Sequence, residues 1–265
     1  MKKGLYWFLA VVITLGAAVY QRMTGPTYPA GGAAVIDGTT LSYKLPRSAE
    51  NSRDAEVKLK APEGFQGYLT YRRLKTDDPW SVVPLVRRDG ELVGLLPKQP
   101  AASKLAYRVL LRGAASPVSI TGGRQVVLRF KNPVSTWLLV PHVIVLFTGM
   151  LFSVAAGLAA LDRKKNPRPY VVWTLALLFL GGFIFGPLIQ KQAFGMYWSG
   201  FPAGKDLTDT KTLVSFLFWV AAYLAGRKGK PARGSVLAAS VLTLITYFIP
   251  HSVLGSELDY TRFKG

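Results

Sequence analysis

The chain has 265 residues, 50 % of them hydrophobic, a mean hydropathy of +0.25 and a formal charge of +19. It holds no cysteine, which excludes disulfides, thiolate metal sites, iron–sulfur ligation and covalently attached c-type haem. Such a basic chain invites a nucleic-acid reading, but many of its charges flank apolar runs and no base-stacking or groove-reading motif accompanies them, so no nucleic-acid partner is expected.

Met1-Lys2-Lys3 precedes an apolar run over residues 5–20. Residues 1–20 read as a transmembrane anchor or, given the small residues Gly16-Ala17-Ala18, as a signal peptide; the length of the run favours the anchor. Either reading leaves the N-terminus inside and exports the segment after the run.

Residues 21–135 form the exported domain, in which period-two alternation recurs. Leu41, Tyr43 and Leu45 alternate, as do Ala55, Val57 and Leu59, then Leu105, Tyr107, Val109 and Leu111, then Val126, Leu128 and Phe130. Asp37-Gly38, Asp89-Gly90 and Gly122-Gly123 supply turns between such stretches. Many short strands separated by turns predict an all-β, antiparallel sandwich. Leu96-Pro97 followed by Leu105-Ala106-Tyr107-Arg108-Val109 resembles the tyrosine corner of immunoglobulin-like and fibronectin type III domains, which makes Trp80 a candidate core aromatic.

Residues 136–265 read as a four-helix transmembrane domain, with spans over 137–161, 170–190, 212–225 and 235–254. Together with the anchor this gives a membrane α-helical bundle of about five spans. The linkers 162–169 and 227–234 carry four basic residues each, so both belong in the cytoplasm by the positive-inside rule. The exported β-domain, the outer loop 190–211 and the C-terminus then lie outside, and the location is a bacterial inner membrane. The exported segment has 18 Lys and Arg against 9 Asp and Glu, which is no obstacle because long loops translocate regardless of charge. Gly149, Ser153 and Gly157 recur every four residues on one face of the second span, a pattern that permits close helix packing.

No phosphate loop, nucleophile elbow or His-Glu-x-x-His motif occurs. The two histidines, His142 and His251, each follow a proline, and both are predicted near the outer ends of their spans. Two imidazoles at matched depth suit axial ligation of a b-type haem, a quinol pocket or a proton path, and equally an interfacial hydrogen bond. Asp206, Asp209, Glu257 and Asp259 are candidate ligands for a hard cation, while Asp206 and Asp209 also suit an N-cap of the fourth span. Gln190, Tyr197, Trp198, Lys211 and Ser252 complete a polar and aromatic outer face.

The run Gly186-Pro187-Leu188-Ile189-Gln190-Lys191-Gln192-Ala193-Phe194-Gly195-Met196-Tyr197-Trp198-Ser199-Gly200-Phe201-Pro202, the later Asp206-Leu207-Thr208-Asp209 and the segment Pro250-His251-Ser252-Val253-Leu254-Gly255-Ser256-Glu257 resemble a family of uncharacterised bacterial inner-membrane proteins. Gln21-Arg22-Met23-Thr24-Gly25-Pro26-Thr27-Tyr28-Pro29 is similar to that family's opening segment. The resemblance implies the architecture and singles out the outer face; it implies no activity. The functional expectation is a non-catalytic accessory or scaffold protein that contacts membrane lipid and an envelope protein partner. The alternatives are a redox subunit holding haem or quinol, and a small transporter or metal-site protein.

Overall fold

The computed structural model describes residues 3–113, 116–227 and 232–251 and positions 253, 255, 257, 258 and 260. It divides into a helical unit, Met1–Pro26 with Val134–Ser256, and a β unit, Thr27–Pro133 with Glu257–Gly265. Glu257 and Leu258 fall in the β unit.

In chain order the β unit contains β1 (Ala30–Ile36), β2 (Thr39–Leu45), β3 (Ser48–Glu50), β4 (Ala55–Lys60), β5 (Gln66–Arg73), β6 (Ser81–Pro84), β7 (Val86–Arg88), β8 (Glu91–Leu96), β9 (Lys104–Arg112), β10 (Val118–Ser119) and β11 (Val126–Lys131). Asp37-Gly38 joins β1 to β2, with Ile36 opposite Thr39, and Asp89-Gly90 joins β7 to β8, with Arg88 opposite Glu91. All four turn residues have positive φ, 49° and 75° in the first pair and 49° and 79° in the second. Two consecutive left-handed residues give the turn whose twist matches that of the strands it connects.

One sheet has the order β3-β11-β9-β5-β6, with β10 on β9; another has the order β4-β8-β7; β1 and β2 form a separate hairpin. β3 runs parallel to β11, while the β4–β8, β5–β9 and β9–β11 pairs are antiparallel. The alternating residues converge on one core: Val57 and Leu59 of β4, Leu92 and Leu96 of β8, Leu105 to Leu111 of β9, and Val126 to Phe130 of β11. Tyr107 is completely buried there, and its hydroxyl donates to the Pro46 carbonyl at 2.8 Å. That partner lies 61 residues upstream, so the bond ties β9 to the β2–β3 link rather than closing a local corner. Burial holds the phenol far above its ordinary pKa, so it remains a donor.

Trp80 departs from expectation. It is half-buried and its ring meets two guanidinium groups, Arg108 at 4.5 Å and Arg72 at 4.9 Å from the ring centroid. Tyr107 points to the core, so Arg108 next to it in β9 must point to the opposite face of the sheet. Trp80, just before β6, joins it there across β5.

The helical unit comprises α1 (Lys3–Thr24), α2 (Thr136–Leu161), α3 (Arg168–Phe179), a π-helical turn (Leu180–Phe185), α4 (Gly186–Phe194), α5 (Leu207–Ala225) and α6 (Arg233–Phe248). Among the described residues, three helices are long and apolar enough to cross a membrane: Gly4–Thr24, Thr136–Leu161 and the continuous Arg168–Phe194. The expected five is therefore met by three. α5 opens with the polar Thr208, Asp209, Thr210 and Lys211. α6 has 16 residues and stops at Phe248, before Ile249-Pro250, because the residue preceding a proline is pushed out of helical geometry. His251, expected inside the last span, lies beyond the end of α6.

Small residues decide the packing. A Cβ on Gly149 would sit 3.2 Å from the Leu177 Cβ, and one on Gly157 would sit 2.4 Å from the Ser240 hydroxyl oxygen. The same Ser240 hydroxyl donates to the Ser153 carbonyl at 2.9 Å, so this stripe of α2 meets α3 at one end and α6 at the other. The Trp219 ring nitrogen donates to Thr243 at 2.8 Å between α5 and α6. Tyr6 of α1 is buried with Val154, Ala155 and Ala159 of α2, and its hydroxyl donates to the Ala155 carbonyl.

Candidate functional site

Of the residues singled out between positions 190 and 211, Gln190, Asp206 and Asp209 fold into one network around the start of α5. Asp206 is the N-cap of that helix: its Oδ1 accepts from the Thr208 N–H at 2.8 Å, satisfying one of the donors a helix start leaves free. Asp209, one turn later, accepts from the Ser199 N–H at 2.8 Å and the Gly200 N–H at 3.1 Å. Ser199 is the hub. Its hydroxyl lies 3.3 Å from both Asp206 Oδ2 and Asp209 Oδ2, and the Gln190 amide reaches it from α4. Its carbonyl also accepts from the Asp206 N–H at 2.9 Å.

The glycines make this contact possible. A Cβ on Gly200 would fall 2.5 Å from the Asp209 Cβ and 2.7 Å from the Thr210 nitrogen, and one on Gly204 would fall 2.2 Å from the Ser199 carbonyl oxygen. Trp198 stacks on Phe183 of the π-helical turn at 5.8 Å and donates to the Phe201 carbonyl at 3.1 Å. Tyr197 is exposed, with the Lys191 ammonium 5.3 Å from its ring centroid. Lys211 is buried, and its ammonium donates to the Ile249 carbonyl at the end of α6.

His142 is half-buried in α2, with Nδ1 3.1 Å from the Gly181 carbonyl. That carbonyl also accepts from the Gly186 N–H, the i→i+5 bond of the π-helical turn. Nδ1 must carry the proton if it donates to a carbonyl, which leaves Nε2 with its lone pair. His251 lies within electrostatic range of His142, Lys211 and Asp206, so the two imidazoles belong to the same end of the helical unit.

Of the four candidate cation ligands, Asp206 and Asp209 share the network around Ser199 in the helical unit. Glu257 is held in the β unit by Lys75 at 2.9 Å and Lys104 at 3.1 Å. Burial alone would raise its pKa, but those two ammonium groups outweigh it and hold the carboxyl below its ordinary value. Asp259 and Ser252 lie outside the described residues. Among the described residues, no group of three or more His, Asp or Glu side chains is arranged to hold a metal ion.

Sequence reasoning overlooked Ser199 and Gly181. The adjacent Gly181-Gly182 inside an apolar span was the available signal for Gly181, since such a pair marks a place where a helix changes its winding. Nothing near Ser199 distinguishes it from a loop serine. Comparison with family models, curated proteins and solved structures finds no match to this chain.

Proposed function

We propose that this protein is a non-catalytic scaffold of a bacterial inner membrane, presenting an immunoglobulin-like binding module to a protein partner in the cell envelope. In this reading α5 and α6 complete a five-span bundle, α1 is retained as an anchor, and the β unit and the C-terminus lie outside the cytoplasm. The burial of Tyr6 between α1 and α2 supports retention. The strand orders support the module: β4-β8-β7 corresponds to B-E-D of an immunoglobulin sandwich, and β11-β9-β5-β6 to G-F-C-C′.

The observation that carries the reading is the Arg72–Trp80–Arg108 stack on the outward face of β5, β6 and β9. Trp and Arg are the residues most enriched at binding hot spots, and stacking fixes both guanidinium groups before a partner arrives. The β6 edge beside it exposes Val82. By contrast, the aspartates at the start of α5 have backbone N–H groups as partners, which suits positioning of a loop better than chemistry.

One observation favours a second reading. With Nδ1 3.1 Å from the Gly181 carbonyl, His142 matches metal-binding imidazoles, whose second ring nitrogen is held by a carbonyl or carboxylate. A redox subunit with b-type haem or quinol near His142 and His251 is therefore the alternative.

Two measurements separate them. Photocrosslinking in cells from position 72 should give one discrete adduct, lost in Trp80→Ala, and the purified protein should lack a Soret band. A Soret band that disappears in His142→Ala overturns the scaffold reading.

A further inference from the structure

Where the 162–169 linker meets the end of α5 and the start of α6 lies a cavity of about 410 Å³. That falls within the size range of small-molecule sites, roughly 300–1,000 Å³. Its lining includes five cationic side chains, Arg163, Lys164, Lys165, Arg168 and Arg233, and among the described residues no carboxylate. Its floor is apolar: Val171, Ala222 and Val236 belong to the buried core shared by α2, α3, α5 and α6.

The rim is held in place by two of its own arginines. Arg233 donates to the carbonyls of Ala159 at 2.9 Å, Asp162 at 2.9 Å and Lys165 at 2.7 Å, pinning the α2–α3 linker. Arg168 donates to the Gly226 carbonyl at the end of α5, at 3.3 Å. The Lys165 ammonium sits 3.6 Å from the centroid of the Tyr6 ring. Arg163 and Lys164 are exposed, and among the described residues neither has a carboxylate within ion-pair distance. The cavity thus sets five cationic side chains over an apolar floor, with the Asp162 carboxylate beside its lining, accepting from the Lys164 N–H at 3.1 Å.

We propose that this cavity binds the phosphate headgroup of an anionic phospholipid. A free phosphate would use the rim and gain nothing from the floor, whereas a phospholipid places its phosphate among the cations and its glycerol and first acyl carbons over Val171 and Val236. Basic pockets between membrane helices are suited to anionic headgroups on these grounds. The inference rests on the membrane-embedded reading of the helical unit and is independent of what the β unit binds.

The test uses purified full-length protein in detergent, titrated calorimetrically with short-chain phosphatidylglycerol, phosphatidylcholine of the same chain length, and inorganic phosphate. Saturable binding of phosphatidylglycerol is expected, at least roughly tenfold tighter than phosphatidylcholine, as two or more charges worth about fivefold each require. Arg163→Gln and Lys164→Gln should each weaken it about fivefold. Both side chains are exposed, so unchanged melting temperatures are expected alongside. Arg227→Gln, exposed near the cavity but outside its lining, should leave binding unchanged. An equal loss in Arg227→Gln would mean diffuse surface attraction and overturn the site. Inorganic phosphate binding as tightly as the lipid would make it a free-anion site, and equal affinity for phosphatidylcholine would remove the role of charge.

Discussion

At the residue scale an ion pair braces the turn between β5 and β6. Arg73 and Asp78 bracket the turn into β6 and form a two-pronged pair, Nε to Oδ2 at 2.5 Å and Nη2 to Oδ1 at 2.8 Å. The hydrogen bonds from Arg73 hold the Asp78 carboxyl down at about 2, against an ordinary 3.8. A carboxyl whose folded pKa is depressed contributes stability above its unfolded pKa and loses it as pH falls through the folded value. The melting temperature of a fragment spanning residues 27–133 should therefore fall between pH 3.8 and about 2. Asp78→Asn should be less stable at neutral pH and show a smaller fall over that window. Because both side chains are partly exposed, the difference will be modest. Parallel curves for the two proteins would mean that the pair contributes nothing.

At the element scale the loop between α4 and α5 behaves as part of a helix cap. Its backbone N–H groups at Ser199 and Gly200 are held by Asp209, the N–H at Phe201 is held by Thr210, and Gly200 and Gly204 leave room for no side chain. Gly200→Ala should force the loop off α5, because the obstructing atoms include the Thr210 backbone nitrogen and not merely a flexible side-chain end. Hydrogen exchange at Ser199, Gly200 and Phe201 should accelerate about five- to thirtyfold in that variant, the loss of roughly one cap's worth of stability, about 1–2 kcal/mol. Protection as in the wild type would show that the loop is held by something other than this capping network. The π-helical turn before it is a second local device. It widens the helix at Gly181, so that one carbonyl serves both its own helix and His142.

At the scale of the whole molecule the charge pattern and the helix lengths have to agree. Both basic linkers, 162–169 and 227–234, lie at helix ends, where Lys and Arg oppose export. Reporter fusions at Asn166 should score as cytoplasmic, and fusions inside the β unit and at Gly265 as exported. A cytoplasmic signal at Gly265 would mean that α5 and α6 do not both cross. That is a real contest of lengths, since the 16 residues of α6 span about 24 Å against roughly 30 Å of hydrocarbon.

Local chemistry alone determined a large part of this protein. The two Asp-Gly hairpins, the inward strands of β4, β9 and β11, the α2 span and the Asp206 cap were legible because each follows from neighbours in the chain: a turn that needs positive φ, a two-residue period, a 26-residue apolar run, a carboxylate at a helix start. What tertiary structure decided was every partnership across distance. Tyr107 was recognisable as a core tyrosine, but its bond to Pro46 depends on how β3 pairs with β11, which no local pattern encodes. Trp80 was expected in the core from the immunoglobulin-like resemblance and is only half-buried, with its ring against two arginines of adjacent strands, Arg72 and Arg108. Glu257 was grouped with the aspartates by sequence position and is held instead by Lys75 and Lys104, more than 150 residues away. The cationic cavity was invisible for the same reason. Its charges were read as topology signals on two separate linkers, and only helix packing brings Arg163, Lys164, Arg168 and Arg233 around a single apolar floor.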